Sequence, residues 1–245
     1  MCIRDRNKCM KKINLIILLL FSFSMNSQSL IGAWERVQKN DSGILEKQIV
    51  IFTTQGYQSI SIFNAKTGEF IYTNGGTWDL NGENLTEKVE FDTANPERVG
   101  TETTFKIIID ENSINVPVME RTWTRLDDGG PGKLEGAWLM SGRYRNGNRQ
   151  MRSIDGPRKT MKLLSGKRFQ WIAYNTATKQ FMGTGGGTYT TKNGVYSENV
   201  EFFSRDNSKA GIELKFNYEL INGEWNHKGY SSKGDPLHEI WIKRK

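Results

Sequence analysis

The sequence predicts an all-β protein built from two copies of one domain. Three observations carry this. A segment from Asn64 to Trp78, reading Asn-Ala-Lys-Thr-Gly-Glu-Phe-Ile-Tyr-Thr-Asn-Gly-Gly-Thr-Trp, returns 111 residues later between Asn175 and Tyr189. From Asn64 to Phe91, 11 of 28 positions match their counterparts, which marks an internal duplication. Apolar residues then recur with period two: Phe105, Ile107 and Ile109 in the first copy, Phe216, Tyr218 and Leu220 in the second. No window shows the apolar stripe of an amphipathic helix.

The N-terminus reads as a leader. Met10-Lys11-Lys12 is followed by an apolar run from Ile13 to Phe23, and Ser27-Gln28-Ser29 supplies small residues for cleavage. That run is too short for a bilayer, which needs about 20 apolar residues. Residues 1–29 are therefore expected to be a signal peptide removed on export, with no membrane insertion afterwards and a periplasmic or secreted product. Residues 1–9 precede a second candidate start, Met10, and fit no signal-peptide pattern.

Both cysteines, Cys2 and Cys9, lie in that leader. The mature chain would hold no disulfide, cysteine nucleophile or thiolate metal site, and each repeat would depend on burying its own core. The net charge of +7 falls to +3 without the leader. It is also unevenly spread, at −7 over residues 30–130 and +10 over residues 131–245. Fields of opposite sign could draw the two halves together or steer an anionic partner to the second.

Each repeat opens alike, with Leu30-Ile-Gly32-Ala-Trp34 and Leu134-Glu-Gly136-Ala-Trp138. Each ends alike, with Trp123-Thr-Arg125 and Trp241-Ile-Lys243. Turn signals separate the strands at Asn81-Gly82, Asn146-Gly147, Asn193-Gly194 and Asn222-Gly223. The offset between copies grows from 104 at Trp34 to 118 at Trp123, placing loop insertions in the second copy at 142–157 and 223–236. The boundaries are the leader 1–29, a first domain 30–126, a glycine-rich linker 127–133 and a second domain 134–245. Many short antiparallel strands in about 100 residues favour closure into a barrel, which removes exposed edges.

Gly32-Ala-Trp34 and Gly136-Ala-Trp138 resemble the Gly-x-Trp that opens the first strand of lipocalins and the wider calycin superfamily. The resemblance implies a tryptophan plugging one barrel end, with a basic residue of the last strand (Arg125, Lys243) across its face. The second copy also resembles secreted bacterial lipocalin-like domains of unknown function, through Lys159 with Phe169, Gly185 to Tyr189, and Tyr196 with Glu198. The fold class is thus all-β, two tandem antiparallel lipocalin-like β-barrels after a signal peptide.

Side chains two apart on a strand share a face, so Glu198 points with Tyr196, Val200 and Phe202, and Glu87 with Leu85. A carboxylate facing a barrel interior must be paired, hydrogen-bonded or protonated. Lys159, Arg158 and Tyr189 are the partners considered for Glu198; a ligand-orienting or acid–base role is the alternative. The paired glycines 75–76 and 185–187 lack a following helix and a Walker lysine, so they read as strand bends rather than a phosphate loop. His227 and His238 are too few for a typical zinc site and are expected at the surface or rim. The basic stretch Arg143 to Arg152 reads as a solvated loop, and nucleic acid is not expected of an exported chain. No serine-nucleophile elbow is present, and neither cofactor, metal nor catalytic set is assigned.

These readings converge on a binder of a small apolar or amphipathic molecule, an anionic one included. The second barrel is the expected seat, lined by Arg158, Lys159, Trp171, Tyr174, Tyr189, Tyr196, Glu198 and Tyr218. A barrel enzyme using Glu198 with Tyr189 or Tyr196, and a non-catalytic envelope scaffold, are the competing classes.

Overall fold

The computed structural model describes residues 29–130 and 132–245; the expected leader lies almost wholly outside them. Strand is the dominant element. The first sheet comprises β1 (Gly32–Lys39), β2 (Leu45–Phe52), β3 (Tyr57–Asn64), β4 (Phe70–Asn81), β5 (Asn84–Asp92), β6 (Glu102–Lys106), β7 (Ile108–Ile109), β8 (Ser113–Val116) and β9 (Arg121–Asp127). The second comprises β10 (Gly136–Arg145), β11 (Asn148–Met151), β12 (Arg158–Leu164), β13 (Arg168–Asn175), β14 (Gln180–Lys192), β15 (Val195–Phe203), β16 (Glu213–Ile221), β17 (Glu224–Tyr230) and β18 (Pro236–Lys243). All pairings are antiparallel, so the fold is all-β with two tandem barrel-like sheets.

In the second sheet β18 returns onto β10 and closes an eight-stranded barrel, with β11 as a flap on β10. The first sheet runs β6-β5-β4-β3-β2-β1-β9-β8-β7 and stays open between its two edges. The cause is local. In the second barrel β16 pairs with β17 from Phe216 to Ile221. In the first, the chain after Val116 turns into a 3-10 segment, Pro117–Met119, facing β6. Proline has no N–H to give to a ladder, so pairing stops there.

The repeated motifs have distinct structural causes. Gly32 and Gly136 take φ of 125° and 110°, and a Cβ on Gly32 would lie 2.1 Å from the Asp127 carbonyl oxygen. Only glycine fits that bend. It turns Trp34 and Trp138 into the barrels, where each indole N–H donates to a backbone carbonyl four residues earlier (Leu30 at 3.0 Å, Leu134 at 2.8 Å). The Arg125 guanidinium lies 3.9 Å from the Trp34 ring centroid, and Lys243 Nζ lies 4.7 Å from that of Trp138. The glycine pairs sit at β-bulges between Gly75 and Gly76 and between Gly186 and Gly187, where the sheet curls.

Three apolar clusters result. One lines each lumen: Trp34, Phe52, Leu85, Ile107, Ile114 and Trp123 in the first, and Trp138, Phe169, Tyr196, Phe216, Trp225 and Trp241 in the second. The third lies between the barrels, formed by their outer faces, including Ile49, Ile51, Phe63, Phe91, Met161, Ile172, Tyr174 and Phe202. This interface has an approximate two-fold. Phe63 stacks on Phe202 at 4.8 Å, and their repeat counterparts Tyr174 and Phe91 meet at 4.9 Å. Phe70 stacks on its own counterpart, Phe181, at 6.0 Å.

The segment read as a linker is anchored. Asp127 ends β9, and its carboxylate accepts from Ser165 Oγ at 2.8 Å and from the Gly166 and Lys167 amides at 3.0 Å. The first barrel is thereby tied to the β12–β13 turn of the second. No helix among the described residues is long and apolar enough to cross a membrane.

Candidate functional site

The second lumen is filled by its own side chains. Lys162 points inward from β12, and its Nζ donates to Glu198 Oε1 on β15 at 2.7 Å. Five aromatic rings surround that ammonium with centroids 4.9–6.0 Å away: Tyr196, Trp225, Trp241, Phe216 and Phe169. His227 lies in the same interior, 2 % exposed, with Nδ1 3.3 Å from Glu239 Oε2. Burial, then the Lys162 charge, push the His227 pKa below its usual value, so the imidazole is neutral near pH 7. Burial works against the Glu239 carboxylate, but His227, the Lys162 charge and the Trp241 N–H together outweigh that and hold its pKa low. The expectation of a surface or rim position for His227 therefore fails; His238 is partly exposed and stacked on Tyr144 at 4.2 Å.

The residues singled out from the sequence scatter over three environments. Tyr189, Tyr196, Glu198 and, half-buried, Trp171 and Tyr218 face the second lumen. Tyr196 is fully enclosed; burial and then Glu198 raise its pKa well above normal. Tyr189 donates its hydroxyl proton to the Ser165 carbonyl. Tyr174 leaves the group: it lies in the interface between barrels, donating to Glu90. Lys159 also faces outward, donating to the Ile154 carbonyl, and Arg158 is exposed at the start of β12. Neither Lys159, Arg158 nor Tyr189 is the partner of Glu198. That partner, Lys162, lies three strands away across the lumen, where alternation along β15 gives no sign of it. The basic stretch forms the β10–β11 hairpin, with Arg149 paired to Glu224 at 2.6 Å.

The apolar cavity lies in the lumen of the first barrel, whereas the lumen of the second, the expected seat of a guest, is packed and only an open depression beside Tyr218 and the Asn193-Gly194 turn adjoins it. A cavity of about 300 Å³ runs from Trp34 to Arg98, Met119 and Arg121. Ladder register shows why it exists. Trp34 faces Val50 where Trp138 faces Lys162, so Val50 replaces the lysine. Phe52 faces Gln58 where Leu164 faces Phe169. Leu85 replaces Tyr196, both opposite a phenylalanine of the next strand. Ile114 replaces Trp225, and Val116 replaces His227. Five large lumenal side chains are thus cut down on one scaffold, and a close-packed interior becomes a chamber.

One polar group is kept. Glu87 stands opposite Trp78 as Glu198 stands opposite Tyr189. It lines the cavity and has no ion pair or hydrogen bond among the described residues. Burial raises its pKa to about 7, against a modest pull from Arg98. Arg98 is itself engaged, with Nη1 2.8 Å from Asp92 Oδ2, and Asp92 also accepts from the Ala94 and Asn95 amides. Tyr72 is 3.3 Å from Asp92, and burial pushes its pKa up to about 12. Outside the lining, Arg36 lies 6.0 Å over Trp123, its pKa lowered by burial and by Arg121.

The arrangement defines a tandem β-barrel protein with one filled lumen and one hollow lumen carrying an unneutralised carboxyl group. Residues 133–245, the second barrel, match the model of a domain of unknown function (DUF4488). No curated protein matches the chain.

Proposed function

We propose that the protein is an exported, lipocalin-like carrier that holds a small amphipathic molecule in its first barrel, with the second barrel as a solid support. One observation carries this reading: the same ladder positions are packed with Lys162, Phe169, Tyr196, Trp225 and His227 in one barrel and emptied in the other. The chamber has the size and lining of a small-molecule site, apolar walls with a few convergent polar groups. The Gly-x-Trp floor with its stacked cation supports the lipocalin likeness. The opening beside β6 and Pro117–Met119 supplies a route inward. A catalytic role for Glu198 finds little support, since its carboxylate is clamped by Lys162 within packed rings. Native mass spectrometry of the purified full chain tests the carrier reading. A co-purifying small molecule, lost when Leu85→Trp refills the first lumen, is the expected result. A bare chain that also ignores a panel of alkyl amphiphiles would remove the reading.

A further inference from the structure

The second barrel contains a template for what the first one holds. Resting on the carrier reading above, we infer that the guest of the first barrel bears a primary ammonium group that pairs with Glu87, in the seat that Lys162 fills next door. Lys162 and Glu198 make a pair at 2.7 Å in the closed lumen. The first barrel keeps the acid as Glu87 and lacks the base, because Val50 stands at the lysine position. The missing atoms are a butylammonium arm. An alkylamine entering the chamber would restore them from outside, its methylenes running along Val50 and its ammonium meeting Glu87.

The walls suit this exchange. Two of the five rings around the Lys162 ammonium persist in the first barrel, Phe105 for Phe216 and Trp123 for Trp241. Ring faces attract a desolvated ammonium. The rings lost, at Gln58, Leu85 and Ile114, provide the added width that a free molecule needs over a tethered side chain. The charged groups around Glu87 do not oppose a cation strongly. Arg98, beside it from the 3-10 turn Pro96–Arg98, is neutralised by Asp92. Tyr72 on β4 stays protonated, and Thr103 on β6 is uncharged. Arg121 on β9 lines the far wall, Arg36 on β1 lies over Trp123 outside the lining, and neither figures among the charges acting on Glu87. An anionic guest would instead need Glu87 protonated and would seek Arg121.

The two ligand classes have opposite pH signatures. An ammonium needs ionised Glu87, so its affinity should climb as pH rises from 6 to 8. A carboxylate guest should weaken over the same range. The experiment titrates octylamine, octanol and octanoate into the full chain at pH 6 and pH 8, followed by calorimetry and tryptophan fluorescence. Octylamine should bind one site, tighter at pH 8. Glu87→Gln should weaken it about 10- to 100-fold, as expected for loss of a charged partner. Val50→Lys should abolish binding by supplying the ammonium from within. If Val50→Lys fails to fold, Glu87→Gln decides alone. Preference for octanoate, a falling affinity with pH, or an unaffected Glu87→Gln overturns the amine assignment while leaving the carrier reading standing. No binding by any of the three probes overturns both.

Discussion

Val50 and Lys162 occupy the same rung of the same ladder, opposite Trp34 in one barrel and Trp138 in the other. This is one of the five exchanges that separate a plugged lumen from a hollow one, and the one that removes a charge pair. In the second barrel the lysine brings its own counter-ion partner and its own aromatic surroundings. The pair is almost fully desolvated, each side chain 5 % exposed. Such pairs add little net stability when formed but are costly to break, because the survivor stays buried and charged. Lys162→Met should therefore lose about 3–5 kcal/mol of unfolding free energy in a denaturant titration. Adding Glu198→Gln should recover much of that loss. Equal stability of the single and double variants would mean that the two groups do not act as a pair.

Glu87 gives the opposite pH signature from a paired carboxylate. Its pKa is raised in the folded chain, to about 7 from 4.5. Between those values the folded state binds the extra proton, so stability falls as pH rises from about 4.5 through about 7. The contribution is full below the lower value and gone above the upper one, a change of up to about 3 kcal/mol. Glu87→Gln should flatten that slope and leave the variant more stable than the parent at pH 8. Melting temperatures of both proteins at pH 5 and pH 8 check this. A parent whose stability rises across the window, or a variant with the same slope, would contradict it.

Much of the fold could be read from the residues because its constraints are local. Glycine before Ala-Trp, the Asn-Gly turns and the paired glycines each answer a backbone demand, and the duplication shows each demand twice. Asn146, Asn193 and Asn222 all take positive φ in two-residue hairpins, as their Asn-Gly pairs suggested. The site was less legible. Alternation along one strand shows that Glu198 faces inward, but its partner lies on β12, separated from β15 by two intervening strands. Lys159 and Lys162 differ by three residues and so point to opposite faces, and only the register decides between them. Most aromatics of the second copy are expected in its core, and a minority, Tyr189 and Tyr196 among them, around a guest. Those two belong to the filling as well, and the chamber lies where such rings are replaced by smaller residues.

The paired glycines yield a sharp contrast. A Cβ on Gly76 would lie 1.9 Å from the Lys88 carbonyl oxygen, and one on Gly187 equally close to that of Asn199. Both obstacles are backbone in the neighbouring strand and cannot swing aside. Gly76→Ala and Gly187→Ala should each cost about 3 kcal/mol by forcing strands apart. Gly156, with nothing within 4 Å of its would-be Cβ, is the control and should change stability little as alanine. Similar denaturation midpoints for all three would show that the bulges yield without strain.

The interface between barrels departs from its approximate symmetry around Arg244. Arg244 follows Lys243 as Leu126 follows Arg125, so an arginine in one copy stands for a leucine in the other. Its guanidinium forks onto Glu90 with both contacts at 2.7 Å, lies 3.0 Å from the Tyr174 hydroxyl and covers the Tyr57 ring at 4.0 Å. Burial opposes the charge, but Tyr174 and Glu90 more than compensate and raise its pKa above the normal arginine value. Arg244→Leu restores the residue of the first repeat yet strands Glu90 beside Tyr174. A loss of about 3–5 kcal/mol is expected, with the calorimetric unfolding peak splitting as the barrels uncouple. Arg244→Leu with Glu90→Leu removes both charges and extends the apolar seam of Phe91 and Met161, so it should return close to the parent. A single, unshifted transition in Arg244→Leu alone would show that the aromatic stacks around Phe63 and Phe202 suffice to join the two halves.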